Sequence, residues 1–208
     1  MVDTKNATQP SARERLLAAA NELFYAEGVQ SVGIDRVIEH AGVAKASLYN
    51  IYGGKEQLIR AYLDSHYVST TQGIERMLVL HDTPRERLLS VFDAQAELFA
   101  QPDFNGCAFV SASAEARPGS LVEQAADEFR AWVRSLFIGL ARDAGVADPE
   151  ALAKQLNLLY DGAGLSARMD RDPSAAAAAR AAASALIDTA LTGGGEGDNA
   201  KLEASATA

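Results

Sequence analysis

The 208-residue chain has one cysteine, Cys107, and three histidines, His40, His66 and His81. A single cysteine excludes an internal disulfide framework and any metal site built from several thiolates, and it fits a reducing compartment. The histidines are too few and too scattered for a metal or catalytic centre; His66 and His81 have a poor spacing for meeting one ion on a helix. No apolar run approaches the ~20 residues that span a bilayer. Residues 1–10 are polar and lack the apolar segment of a secretory signal. The G-x-S-x-G elbow, the phosphate-binding loop and the H-E-x-x-H motif are all missing. The expectation is a soluble, cytoplasmic protein with no membrane part, no cofactor, no metal and no catalytic site.

What is present is ordinary for a globular chain: 48% hydrophobic and 23% charged residues. The net charge of −9 is unevenly spread. Residues 1–60 hold seven basic and seven acidic side chains, whereas residues 61–208 hold twelve basic and twenty-one acidic ones. The total argues against sequence-blind binding to nucleic acid. The neutral N-terminal part leaves room for a local DNA-binding surface.

Apolar residues recur at spacings of three and four, and period-two alternation is scarce, so the chain reads as all-α. Leu16, Leu17, Ala20, Leu23 and Phe24 form a helical stripe that Gly28 ends. Short helices follow over residues 34–41 and 45–51, broken by Gly42 and by Gly53 and Gly54, and a longer one runs from Lys55 into the high seventies. Thr83-Pro84, Asp148-Pro149 and Asp172-Pro173 read as helix entries with proline in the first turn. Between them lie a short apolar stretch over residues 107–116 and a strong amphipathic helix from Ser120 to about Ala144. The last helix is alanine-rich and is expected to end near Leu191. The expected organisation is a flexible arm over residues 1–10, a helix-turn-helix domain over 11–54, a helical domain over 55–192, and a disordered Gly/Ala/acidic tail over 193–208.

Residues 34–52, IDRVIEHAGVAKASLYNIY, have the spacing of a helix-turn-helix. Val37 and Ile38 face inward from the first helix, and Gly42 stands where the turn needs positive φ. Val43, Leu48 and Ile51 give the second helix a buried side. That leaves Lys45, Ala46, Ser47, Tyr49 and Asn50 exposed, short polar and aromatic groups suited to base edges in a major groove. No carboxylate occurs between His40 and Lys55. Lys55 opens the next helix, where unpaired backbone N–H groups also attract phosphate. Ser31 and Gly33, at the start of the first short helix, are further phosphate candidates, and Arg36 is counted with them.

The stretch from Arg13 to Leu58 resembles the N-terminal domain of TetR-family transcriptional regulators. The matching pieces are Leu17-x-x-Ala20-x-x-Leu23-Phe24, Gly28, Ala41-Gly42-Val43, Leu48-Tyr49 and Lys55-Glu56-x-Leu58. The resemblance implies that the helix from Lys45 to Tyr52 reads DNA, with Ser47 and Tyr49 at positions that commonly contact bases or phosphates and Lys55 at that of a phosphate-binding lysine. Gly33 stands where the family often has threonine, so no hydroxyl is offered there. A larger helical domain that dimerises and holds a small-molecule effector is implied as well, as is repression by default at a palindromic double-stranded operator. Small residues on the last two helices suit a close homodimer interface independently of the resemblance. Candidate pocket residues are Phe92, Phe99, Phe104, Cys107, Phe109, Trp132, Phe137 and Tyr160, near helix breaks at residues 102–106 and 118–119. Few ionisable residues fall among them, which points to an apolar or aromatic effector.

Two other readings remain. One is a redox-responsive regulator using Cys107, although no lysine or arginine lies within nine residues of it to favour a thiolate, which reads better as a buried cysteine. The other is a helical protein-interaction module with no DNA role.

Overall fold

The computed structural model describes residues 10–205, with side chains described for residues 10–192. Among the described residues there are nine helices and no strand, in the all-α class expected from the periodicity. They are α1 (Ala12–Glu27), α2 (Ile34–Ala41), α3 (Lys45–Tyr52), α4 (Lys55–Leu78), α5 (Pro84–Phe99), α6 (Ala108–Ala114), α7 (Leu121–Asp143), α8 (Pro149–Asp170) and α9 (Ala175–Ser205). Apart from Pro10, the arm expected over residues 1–10 lies outside the described residues, as do the side chains of the tail expected over 193–208. The last helix carries on past its expected end near Leu191. Glycine in a helix costs roughly 1 kcal/mol relative to alanine, which weakens a helix without forbidding it. Asp172 does not cap α9; its carboxylate accepts from the N–H and hydroxyl of Ser174 at 2.8 and 2.7 Å, making a local turn ahead of the helix.

The chain divides into two compact units, Met1–His66 with Ala108–Ala126, and Tyr67–Cys107 with Asp127–Ala208. The first therefore extends past residue 54 into α4 and takes in α6 and the start of α7.

In the first unit, Ser11 and Glu14 make a reciprocal cap at the start of α1, each side chain accepting from the other residue's backbone N–H. Leu16, Ala20 and Phe24 of α1 and Val32, Val37 and Leu48 are all nearly or fully buried. From α4, Leu58, Leu63 and Tyr62 close this core, with the Tyr62 ring edge-on to Phe24 at 5.7 Å. Of the three residues expected to bury the inner side of α3, Leu48 alone is fully enclosed; Val43, ahead of the helix, and Ile51, in its last turn, are half-buried.

In the second unit, α5 and α8 are capped by Thr83 and Asp148, with proline in the first turn of each as the sequence indicates. Arg85 of α5 grips Asp188 of α9 through two bonds of 2.7 and 2.8 Å, and Arg180 of α9 lies 2.8 Å from Asp93 of α5. Ala176, Ala179, Ala183 and Ile187 bury one face of α9. Its alanines 177, 178, 181, 182 and 185 are exposed, and so are Leu158, Leu165 and Met169 of α8.

Candidate nucleic-acid interface

Gly42 has φ 61° and ψ 42°, the left-handed conformation expected of it. Its N–H bonds the carbonyls of Ile38 and Glu39, which ends α2 and turns the chain into α3. The packing of α3 through Leu48 leaves Lys45, Ala46, Tyr49 and Asn50 exposed and Ser47 half-buried. Tyr49 is 47% exposed. Ser31, Gly33 and Arg36 are exposed on or just before α2, and Lys55 is half-buried at the start of α4.

Two arginines that the sequence reading passed over hold this arrangement. The Arg15 guanidinium donates to the carbonyl of Ala41 at 3.1 Å, and Arg13 donates to that of Ile51 at 3.3 Å. Arg13 also lies 5.1 Å from the centre of the Tyr52 ring, whose hydroxyl donates back to the Arg13 carbonyl at 3.1 Å. Cations of α1 thus satisfy terminal carbonyls of both short helices. Nothing local signalled this, because the partners are 26 and 38 residues away.

The opposite ends of the same helices are treated differently. The N-cap of α2 is Gly33 and that of α3 is Ala44, and neither supplies a side-chain hydrogen bond. A side chain at Gly33 would meet nothing within 4 Å. Helices α1, α5 and α8 all have a side-chain cap. The first N–H groups of α2 and α3 are therefore left to an outside acceptor, and a helix N-terminus accepts an anion well.

The charges are less free than the acid-free stretch from His40 to Lys55 suggested. Lys45 Nζ lies 2.8 Å from Asp35 Oδ1, which holds the ammonium pKa up. Arg36 makes two bonds to the Glu27 carboxylate, of 2.5 and 2.7 Å, which pull that carboxyl below its usual range. Lys55 donates to the carbonyl of Gln30 at 3.4 Å; burial pushes its pKa down, and the nearby Glu115 carboxylate works against that shift. The acids come from other elements. Both ion pairs are largely exposed, where such pairs contribute little in water.

The candidate pocket residues fall into separate groups. Phe92 and Phe137 are fully buried in the second unit, ring to ring at 5.9 Å, with Tyr160 edge-on to Phe137 at 6.2 Å. Burial pushes the Tyr160 phenol pKa far up, with Cys107 and Asp161 adding to the effect. Phe99 and Phe104 pair at 4.8 Å, while Trp132 packs on Tyr67 and Phe129 instead. Phe109 belongs to the first unit. Cys107 is half-buried rather than buried, and the stem of Arg168 lies against its neighbour Gly106, a cation that the sequence spacing did not reveal. Sequence reasoning also missed two buried amides here. Gln95 donates to the Tyr160 carbonyl at 2.9 Å and Asn157 to Asp161 at 3.0 Å, and the side-chain oxygen of each has no hydrogen-bond partner. Among the described residues no cluster of His, Cys, Asp or Glu is arranged to hold a metal ion, and no helix is long and apolar enough to cross a membrane.

Residues 16–62 match the model of bacterial regulatory proteins of the tetR family, and residues 84–183 match a tetracyclin repressor-like C-terminal domain. A TetR-family transcriptional regulator from Streptomyces coelicolor superposes with a TM-score of 0.82 at 31% identity, covering 86% of this chain and 96% of that one. The reduced form of Escherichia coli NemR superposes with a TM-score of 0.73 at 26% identity, covering 84% and 97% of the two chains. In sequence, the E. coli transcriptional repressor NemR is 30% identical over 110 residues, 52% of this chain and 55% of its own length. The transcriptional activator FasR of Mycolicibacterium smegmatis is 27% identical over 134 residues, 64% of this chain and 61% of its own. The chain thus spans less than two thirds of these curated relatives. The helix-turn-helix built by α2 and α3, the helical second unit and these matches together place the chain in the TetR family of DNA-binding transcriptional regulators.

Proposed function

We propose that the protein is a homodimeric repressor that releases a palindromic double-stranded operator when a small apolar or aromatic effector enters its second unit. It acts in the cytoplasm by binding rather than by catalysis. Lys45, Ala46, Ser47, Tyr49 and Asn50 face the bases, and Ser31, Gly33, Arg36 and Lys55 meet phosphate. The observation that carries the DNA contact is the pair of uncapped N-termini of α2 and α3 beside the exposed face of α3.

Dimerisation through α8 and α9 is supported by the exposed Leu158, Leu165 and Met169 and by the row of exposed alanines on α9. The effector reading rests on the aromatic groups of the second unit: the Phe92, Phe137 and Tyr160 cluster, the Phe99 and Phe104 pair, Trp132, and Cys107 beside them in the chain. Phe109, grouped with the first unit, is left out of it. Repression is the direction we favour, although the two curated relatives are a repressor and an activator. The redox reading is not favoured, because the only cysteine has no second one in its chain to pair with. An interaction module with no DNA role is displaced by membership of the family.

Selection of purified protein against random duplex DNA tests the reading. A two-fold symmetric motif is the expected result, and enrichment of no sequence would overturn it. Reciprocal titration of that operator and a small-molecule hit then tests release. The two ligands must weaken each other by the same factor, and additive binding would refute effector release.

A further inference from the structure

Glu115, in the turn between α6 and α7, reaches the loop that leads into α2, within the first unit. Its Oε2 accepts from the backbone N–H of Gln30 at 2.8 Å, and its own carbonyl accepts from the Gln30 side chain at 3.5 Å. Gly28 makes room for it: a Cβ there would stand 2.8 Å from Glu115 Oε1, and the φ of 92° also favours glycine. The other end of the turn is fastened by Glu56, which accepts from the N–H of Leu121 at 3.0 Å. Each part thus offers a carboxylate to a backbone N–H of the other.

The place that Glu115 occupies is the telling point. Lys55 Nζ is held on the carbonyl of Gln30, and the carboxylate on the N–H of the same residue. The carboxylate acts on the charge of Lys55, as the direction of its influence on the ammonium shows. Ser31 and the uncapped N-terminus of α2 follow directly in the chain. A protein anion therefore sits among the groups assigned to DNA phosphate.

We propose that Glu115 is a built-in competitor of the DNA backbone: its carboxylate holds the Gln30 amide and offsets the positive charge that Lys55 offers to phosphate, so the reading head binds at full strength only when that carboxylate is gone. This rests on Lys55 and the loop before α2 meeting phosphate. A simple buttress would need only the hydrogen bond, which a neutral amide also accepts. Competition needs the charge.

Glu115→Gln separates the two. DNA affinity is measured across a salt series, on the selected operator and on a random duplex at low salt. The expected result is binding about three- to tenfold tighter, with a salt dependence steeper by about one phosphate contact. A salt slope is a readout that a purely structural role would not move. In a Lys55→Gln background the gain is expected to vanish. Unchanged or weaker binding by Glu115→Gln, in protein that melts like the parent, would overturn the proposal, and so would a gain that persists without Lys55. Lys55→Gln alone reports on the underlying reading: if it leaves DNA affinity and salt slope unchanged, Lys55 is not a phosphate contact, whatever Glu115 does.

Discussion

The two units handle the ends of their helices in opposite ways. In the second unit, α5 and α8 begin with Thr83 and Asp148, each bonded to a backbone N–H of its own first turn. In the first, α1 is closed by Ser11 and Glu14, while α2 and α3 have their terminal carbonyls served by arginines of α1 and their N–H groups left open. A side-chain cap contributes about 1 kcal/mol, so two missing caps on two eight-residue helices represent stability forgone at the ends proposed to receive phosphate. The aromatic residues divide similarly. The second unit encloses Phe92 and Phe137 completely, and the first leaves Tyr49 nearly half exposed on its reading helix.

The hardest way to break this contrast is to hollow out the second unit. Phe137→Ala removes a fully buried ring packed on Phe92 and Tyr160 and is expected to cost about 3–5 kcal/mol, read from the urea midpoint. Tyr49→Ala is expected to leave that midpoint nearly unchanged and to weaken operator binding by about tenfold or more, since the ring is exposed in the free protein.

A sharper test closes the open end. Ala44 already has the extended backbone of an N-cap, at φ −71° and ψ 146°. Ala44→Ser is expected to raise stability by about 1 kcal/mol and to weaken DNA binding several-fold, because the new hydroxyl competes with phosphate for the same N–H groups. Thr83→Ala and Asp148→Ala should cost about 1 kcal/mol each and leave DNA affinity alone. Loss of DNA binding in the latter pair, or tighter binding by Ala44→Ser, would break the comparison.

The smallest effect concerns His66, which stacks on Tyr25 at 5.2 Å and meets the edge of Tyr62 at 4.8 Å. Burial pushes its pKa below the ordinary value of 6.5. The unfolded chain therefore takes up the proton first as pH falls, so stability declines below about pH 6.5 and levels off once the folded state is protonated too. Melting temperatures from pH 8 to 5, compared between the parent and His66→Gln, isolate this part; identical pH profiles would refute it.

The helices were legible in the sequence, apart from the end of α9 and the part played by Asp172. Hydrophobic periodicity, the prolines after Thr83 and Asp148 and the breaker Gly42 all act within one or two turns, so they are legible residue by residue. The outward side of α3 was legible too, since the burial of Leu48 fixes which way Lys45, Tyr49 and Asn50 point. Which charges are already answered depends on the packing of segments distant in the chain. A stretch free of acid from His40 to Lys55 turned out to face Asp35 and, 60 residues on from Lys55, Glu115. The same packing decides which aromatic rings share a cluster and which face of the alanine-rich α9 is buried. Helix formation is settled by neighbours four residues apart, whereas an ion pair or an open helix end depends on what the folded chain brings alongside from elsewhere.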